Sequence, residues 1–287
     1  MARTLAHQLD RPLLVVTAVD PLLAEAGRAK YGEKFADENA ANDLARFLLE
    51  GDVARVKAGH DVMDLPGFRS ESGGLGAVSQ DFTTLVEIGA PADALLRAAH
   101  EHNASLIVVG TRGLGRTKRL FFGSTALKIL RSTDRAVLAV PHADDAHAAR
   151  FDHIVCGVDF SEPSLNAARA AAQLGRRLSA PVHLVHAVER IAVPQTWDAL
   201  AVSAADQRVA ETTSRLKELA ATLDVATPSV SVRIGDVAEV ISEAASEHRS
   251  TLIVLGLDGR DGHRPGTHAY RILTEARTPV MAVPRPK

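Results

Sequence analysis

Short apolar runs recur along the chain, and the clearest set lies in its C-terminal half. His153–Val158 comes first, then Val182–Val188, Ser229–Ile234, Thr251–Leu255 and Pro279–Val283. Between them, apolar residues return at helical spacing from Ser161 to Leu178, from Asp206 to Leu223, from Val237 and from Gly266. Ser161-Glu162-Pro163 marks the first of these helices, because serine suits an N-cap and proline a first turn. Short buried strands alternating with helices predict a parallel sheet covered by helices on both faces.

The same pattern occurs twice. "LVEIGAPADALLRAAHEHNASLIVVGTRG" from Leu85 aligns without a gap with "SVRIGDVAEVISEAASEHRSTLIVLGLDG" from Ser231, at an offset of 146. "GSTALKILRSTDRAVLAVP" from Gly123 aligns with "GTHAYRILTEARTPVMAVP" from Gly266 at 143. "LAHQLDRPLLVVTAVD" from Leu5 aligns with "LGRRLSAPVHLVHAVE" from Leu174 at 169. Repetition on this scale means two tandem domains, residues 1–142 and 151–287. The offsets put 23 extra residues in the first copy, around the Gly- and Ser-rich stretch Gly59 to Gln80, which is expected to be a surface loop. Residues matching Phe151–Ala168 would precede Met1, so the first copy lacks a counterpart of strand one. The expected explanation is a start assigned about twenty residues too late, a length extrapolated from the repeat. In a doubly wound sheet the first strand is central, and its loss should leave strands two and four with unpaired backbone groups.

Composition narrows the function classes. The 287 residues are 46% hydrophobic and 24% charged, with a formal net charge of -2. That balance disfavours a nucleic-acid or membrane-coating role. Aromatics make up only 4% of residues, too few for single-strand stacking platforms. No apolar run reaches membrane-spanning length and Met1–His7 lacks the features of a signal peptide, so the expected address is cytoplasmic. Cys156 is the single cysteine; flanked by Ile154, Val155 and Val158, it is expected to be an inert core thiol.

The candidate chemistry lies in "GTRGLGRTKRLFFGS", Gly110 to Ser124. The stretch follows an apolar strand and opens a helix. Ligands of open α/β sheets bind at the carboxyl ends of strands, and a helix N-terminus offers free N–H groups and partial positive charge. Glycine lets backbone approach a phosphate closely. Ser124 and Thr125 add hydroxyls; Arg112, Arg116, Lys118 and Arg119 add positive charge. No Lys follows Gly123, which excludes a P-loop. A dinucleotide fingerprint would follow the first strand of a unit, and this loop follows the fourth.

Other patterns carry less. His183 and His186 are three apart on a strand, so they point to opposite faces and make no metal pair. His142, His147 and His153 flank a linker without metal-ligand spacing. "SGGLGAVS", Ser72 to Ser79, follows no strand and is expected to be a flexible loop. Glu101-His102 and Glu247-His248 recur at helix ends, where a cation is favourable. No catalytic triad, carboxylate pair or Cys-His arrangement stands out, so no dedicated enzyme is expected.

The spacing Gly110-x2-Gly113-x9-Gly123-Ser124, with "VDFSEPS" from Val158 after a first strand and the doubled five-strand unit, resembles the universal stress protein family in its tandem form. That resemblance implies two doubly wound, Rossmann-like parallel-sheet domains of the adenine nucleotide alpha hydrolase type, with strand order 3-2-1-4-5. It implies ATP as ligand, with or without Mg2+, and a regulatory role in stress survival or dormancy. Carried over by position, the backbone at Val109, Gly110 and Gly113 would lie beside ribose and phosphates. Gly123, Ser124 and Thr125 would hold the phosphate tail, and Ala18 would contact adenine or ribose. Asp159 is the second copy's adenine-side candidate, a weaker site. There, "GLDGRDGHRPGT" from Gly256 has lost three residues and carries Asp258, Asp261 and Pro265, so weak nucleotide binding or none is expected. The resemblance also implies that the fifth strands, Arg135–Val140 and Pro279–Val283, pair edge to edge within the chain, with a homodimer as a further assembly. The alternatives are an interaction scaffold with vestigial loops and a slow ATPase.

Overall fold

The computed structural model describes residues 1–19, 82–111, 122–141, 150–189, 198–225, 228–257 and 267–285. The chain packs as two compact units, one of Met1–Asp10 with Ala104–Lys287 and one of Arg11–Asn103. The Gly59–Gln80 stretch, Arg112 to Phe121 and the linker histidines 142 and 147 lie outside the described residues.

The larger unit is built on a seven-stranded sheet. From the first copy come β3 (Leu106–Gly110) and β4 (Ala136–Val140). From the second come β5 (Ile154–Gly157), β6 (Val182–Val188), β7 (Ser229–Ile234), β8 (Leu252–Gly256) and β9 (Val280–Val283). The order is β3-β4-β9-β8-β5-β6-β7. Within the second copy this is the expected 3-2-1-4-5, every pairing parallel. The two fifth strands meet antiparallel, with Val137 opposite Ala282, Leu138 opposite Met281 and Ala139 opposite Val280. The edge-to-edge pairing expected from the sequence is therefore made inside one chain.

The smaller unit holds β1 (Leu14–Val19) and β2 (Thr83–Ile88), paired in parallel, with α2 (Pro91–Glu101). In the second copy, β5 bridges β6 and β8. Among the described residues nothing takes that bridging position in the first copy, and its strands fall into two sheets. The short α1 (Ala2–Gln8) matches the last turns of a helix in the second copy. Its Leu5 is buried in one cluster with Leu138, Phe151, Leu184 and Met281, and Phe151 N–H donates to Gln8 Oε1.

The remaining helices are α3 (Ser124–Ser132), α4 (Glu162–Leu178), α5 (Asp198–Thr222), α6 (Val237–Glu247) and α7 (Thr267–Glu275). Helix α4 buries an alanine face, Ala167, Ala168, Ala171 and Ala172, which lets it lie close on the sheet. Helix α5 begins eight residues before the expected Asp206. Its early turns are rich in alanine, a strong helix former, and Val202 there is 61% exposed.

His183 and His186 do point to opposite faces. His183 is only 6% exposed. Its Nδ1 and Nε2 lie 2.7 Å from Ser229 Oγ and 2.8 Å from Ser231 Oγ, and its ring stacks on His248 at 3.8 Å between centroids. Burial first, then the charges of His248 and Arg233 against that of Glu247, lowers its pKa from 6.5 to about 4. The unfolded chain takes up this proton near pH 6.5 and the folded chain only near pH 4. Stability from the neutral ring is therefore present above pH 6.5 and lost as pH falls towards 4. Urea unfolding at pH 7 and pH 4.5 is expected to show a loss of about 2 kcal/mol from this group. His183→Leu, which restores the residue type of the equivalent Leu14, should flatten that part of the slope.

Candidate functional site

In the first copy, β3 delivers the chain to Gly110 and then to the buried Thr111. The Thr111 N–H donates to Val140 O at 2.9 Å, and its own carbonyl accepts from the Gly123 N–H at 2.8 Å. Thr111 and Gly123, the described residues flanking the glycine-rich segment, are thus joined by one backbone hydrogen bond. Phe122, just before the return, is 7% exposed.

Gly123 is the N-cap of α3 and has extended backbone. A glycine supplies no side-chain acceptor, and the first turn of α3 contains no acid. Three other helix starts differ, whereas α1 and α7 also have no acid in their first turn. Helix α4 is capped by Ser161 and carries Glu162, α6 is capped by Asp236 and carries Glu239, and α2 carries Asp93. Such groups satisfy orphan N–H donors and offset the positive end of a helix. At α3 the helix supplies neither, which leaves donors and partial positive charge facing the segment's return. Ser124 is exposed there and Thr125 half-buried, while Val109 is buried in β3. Arg112, Gly113 and Arg116 lie outside the described residues. Ala18 is in β1 of the smaller unit, opposite Glu87.

The second copy builds a different arrangement. Asp159 follows β5, and its Oδ1 accepts from Ser161 N–H at 2.9 Å and Ser161 Oγ at 2.5 Å. The Asp159 N–H donates to Ser164 Oγ at 3.2 Å. Partial burial raises the carboxyl pKa; hydrogen bonds from Ser161 and Ser164 outweigh it, and the net shift is downward. One carboxylate oxygen is therefore engaged in the turn that opens α4.

Phe160 sits at φ 62°, a left-handed conformation that costs a bulky residue about 1–2 kcal/mol. This places its ring 5.3 Å from His186 and under the Arg215 guanidinium, 4.3 Å from the ring centroid. His186 Nδ1 lies 2.7 Å from Val158 O; a carbonyl only accepts, so Nδ1 carries the proton. These groups line a cavity of about 720 Å³ together with Asp159 and Arg208. The sequence reading missed this cluster. Its members are scattered through the chain, and the backbone turn at Phe160 leaves no mark on spacing.

Gly256, the counterpart of Gly110, shows how closely the second copy is packed at the end of β8. A Cβ there would stand 2.7 Å from Pro163 C and 2.8 Å from Ser164 N. Those are backbone atoms of α4 and cannot swing away. The next residue repeats the first copy's tie, Leu257 N–H donating to Val283 O at 2.8 Å. Among the described residues, no group of three or more His, Cys, Asp or Glu is placed to hold a metal. No described helix is long and apolar enough to cross a membrane.

A complete α/β unit of order 3-2-1-4-5, joined through its fifth strand to the fifth strand of a second copy, defines a tandem doubly wound protein. The model of the Universal stress protein family matches twice, over residues 1–141 and 150–284. The chain belongs to that family. A universal stress protein of Thermus aquaticus, from the QAH/OAS sulfhydrylase 3' region, is 42% identical over 140 residues, covering 49% of this chain and 85% of that protein. One from Mycobacterium tuberculosis is 28% identical over 91 residues, 32% of this chain and 31% of that protein. Among solved structures, a universal stress protein of Archaeoglobus fulgidus covers 99% of this chain, and 94% of that structure is covered in turn, at 18% identity and TM-score 0.58. A putative universal stress protein of Pseudomonas aeruginosa covers 96%, with 94% of that structure covered, at 14% identity and TM-score 0.51. The structural likenesses speak to the fold.

Gly256→Ala is expected to lower stability by about 2 kcal/mol, because α4 must shift off β8 to admit the methyl group. Thermal unfolding of the variant beside the parent protein checks this; an unchanged midpoint would mean that α4 yields freely.

Proposed function

We propose that this chain is an ATP-binding stress regulator, with the nucleotide's phosphates held at the Gly110–Thr125 segment of the first copy. The observation that carries the proposal is the start of α3. It has no side-chain cap and no acid in its first turn, unlike α2, α4 and α6; its counterpart α7 is also acid-free, and what sets α3 apart in sequence is the longer preceding segment with Arg112, Arg116, Lys118 and Arg119. A phosphate group supplies both missing partners, accepting from the free N–H donors and compensating the helix dipole. The serine and threonine hydroxyls at 124 and 125 add donors. ATP would come with or without Mg2+, and binding would set conformation or partner choice rather than drive a dedicated reaction. The second copy, with two aspartates and a proline in its shortened loop, would act as a structural or regulatory partner.

A second function has one observation in its favour. The first copy's strands lie in two sheets, so its adenine side lacks the support that β5 gives the second copy. An interaction scaffold that binds no nucleotide would tolerate that.

The test is the nucleotide content of the purified chain, released by denaturation and identified by chromatography, followed by titration with ATP. Near-stoichiometric ATP, or saturable uptake, is expected. Reversing charge at Arg116 and Lys118 together should weaken ATP binding at least tenfold, roughly the loss of one charge-assisted contact. A scaffold would release no nucleotide, take up none and be indifferent to both substitutions.

A further inference from the structure

The second copy reaches into the first at the start of α3. Phe122 packs against Tyr270 of α7, with ring centroids 6.2 Å apart and planes at 57°. That is a tilted aromatic pair within the favourable range. Phe122 is almost fully buried, while Tyr270 keeps 38% exposure. The next residue, Gly123, is both the N-cap of α3 and the donor to Thr111 O. The segment's other stem is held from the same side. Thr111 donates to Val140 of β4, whose neighbour Ala139 is paired with Val280 of β9. Both stems of the glycine-rich segment therefore rest on the second copy, one through the shared sheet and one through Tyr270.

The contact is one-sided. At the repeat offset of 143, Tyr270 corresponds to Leu127 and Phe122 to Pro265. The mirror-related pair, Leu127 and Pro265, contains no aromatic ring. Two aromatics thus occur together only at the junction that serves the longer glycine loop.

We infer that Tyr270 is a positioning residue for the first copy's phosphate site: through Phe122 it fixes Gly123 and Ser124, so that the N–H groups opening α3 are aimed before the ligand arrives. This inference rests on the nucleotide-binding function proposed above. It gives the second copy a defined part in nucleotide binding without a nucleotide of its own. Preorganised donors gain affinity because the ordering cost is met during folding.

The experiment compares ATP and adenosine binding by calorimetry in the full chain, Tyr270→Ala, Tyr270→Phe, Phe122→Ala and the double variant. Tyr270→Ala should weaken ATP about three- to tenfold, the scale of one aromatic pair. Adenosine should change less than about twofold, since the disturbed donors face phosphate. Tyr270→Phe keeps the ring and should stay within about twofold of the parent. The two alanine effects should fail to add, as expected for side chains in contact. Equal binding of ATP by Tyr270→Ala and the parent overturns the inference and leaves the nucleotide site standing. Equal losses for ATP and adenosine also overturn it, since they mark a general structural role. A parent chain that binds no nucleotide overturns the functional proposal and this inference together. If Tyr270→Ala does not fold, Tyr270→Leu, with the side chain of the equivalent Leu127, carries the same comparison.

Discussion

The larger unit depends on one backbone junction, the antiparallel pairing of β4 with β9. Each is the fifth strand of its copy, and each would otherwise be a sheet edge with a row of open donors and acceptors. Exposed apolar edges invite pairing with other chains. Joined, they become interior strands of a seven-stranded sheet whose edges are β3 and β7. Val137, Leu138, Ala139 and Ala282 at the junction are almost completely buried. Leu138 from the first copy shares a core cluster with Leu184 and Leu252 from the second. Apolar burial and backbone pairing thus reinforce each other at the same four positions.

That junction also explains why the two halves of the first copy behave differently. β3 and β4 pair with each other, and β4 extends the second copy's sheet. β1 and β2 have only each other. In the second copy the bridge is β5, buried at all four positions, with Cys156 at its centre. Burial pushes that thiol up to about 12, so it stays protonated and serves as packing. The first copy's described strands fall into two sheets, one in each compact unit. The described residues proposed to hold phosphate, Gly110 and Gly123 to Thr125, belong to the larger unit.

Much of this was legible in the chain itself. The second copy's five strands follow from apolar runs bounded by turns, and α4 from Ser161 and Pro163 ahead of an alanine face. The odd spacing of His183 and His186 was enough to place them on opposite faces. The pairing of fifth strands followed from family resemblance rather than from any local pattern. Other features left no local mark. The early start of α5 is in an alanine-rich stretch with Val202 exposed, and a search for amphipathic periodicity passes over it. The turn at Phe160 puts a bulky residue where glycine or asparagine would be expected, so composition points away from it. The contact between Phe122 and Tyr270 joins residues 148 apart in sequence, and only the sheet junction brings them together.

Where the copies have diverged, the kind of divergence separates framework from site. Glu87 on β2 pairs with Arg97 on α2, and at the equivalent positions Arg233 on β7 pairs with Glu243 on α6. The charges have exchanged places while the strand-to-helix contact is kept. An exposed pair of this kind contributes little to stability, so either polarity serves, provided both partners change. At the carboxyl ends of the fourth strands the copies share the first tie, Thr111 to Val140 and Leu257 to Val283, and then part. One continues into a long glycine segment that returns to an uncapped helix. The other has a shortened loop with two aspartates. Divergence in the framework is compensated, as at the exchanged ion pair. Divergence at the strand ends is not: the following helices α3 and α7 both lack an acid in their first turn, and the copies part in the loop sequence before them, three residues longer in the first copy and carrying Asp258, Asp261 and Pro265 in the second, a divergence expected if one loop serves an anion and the other does not.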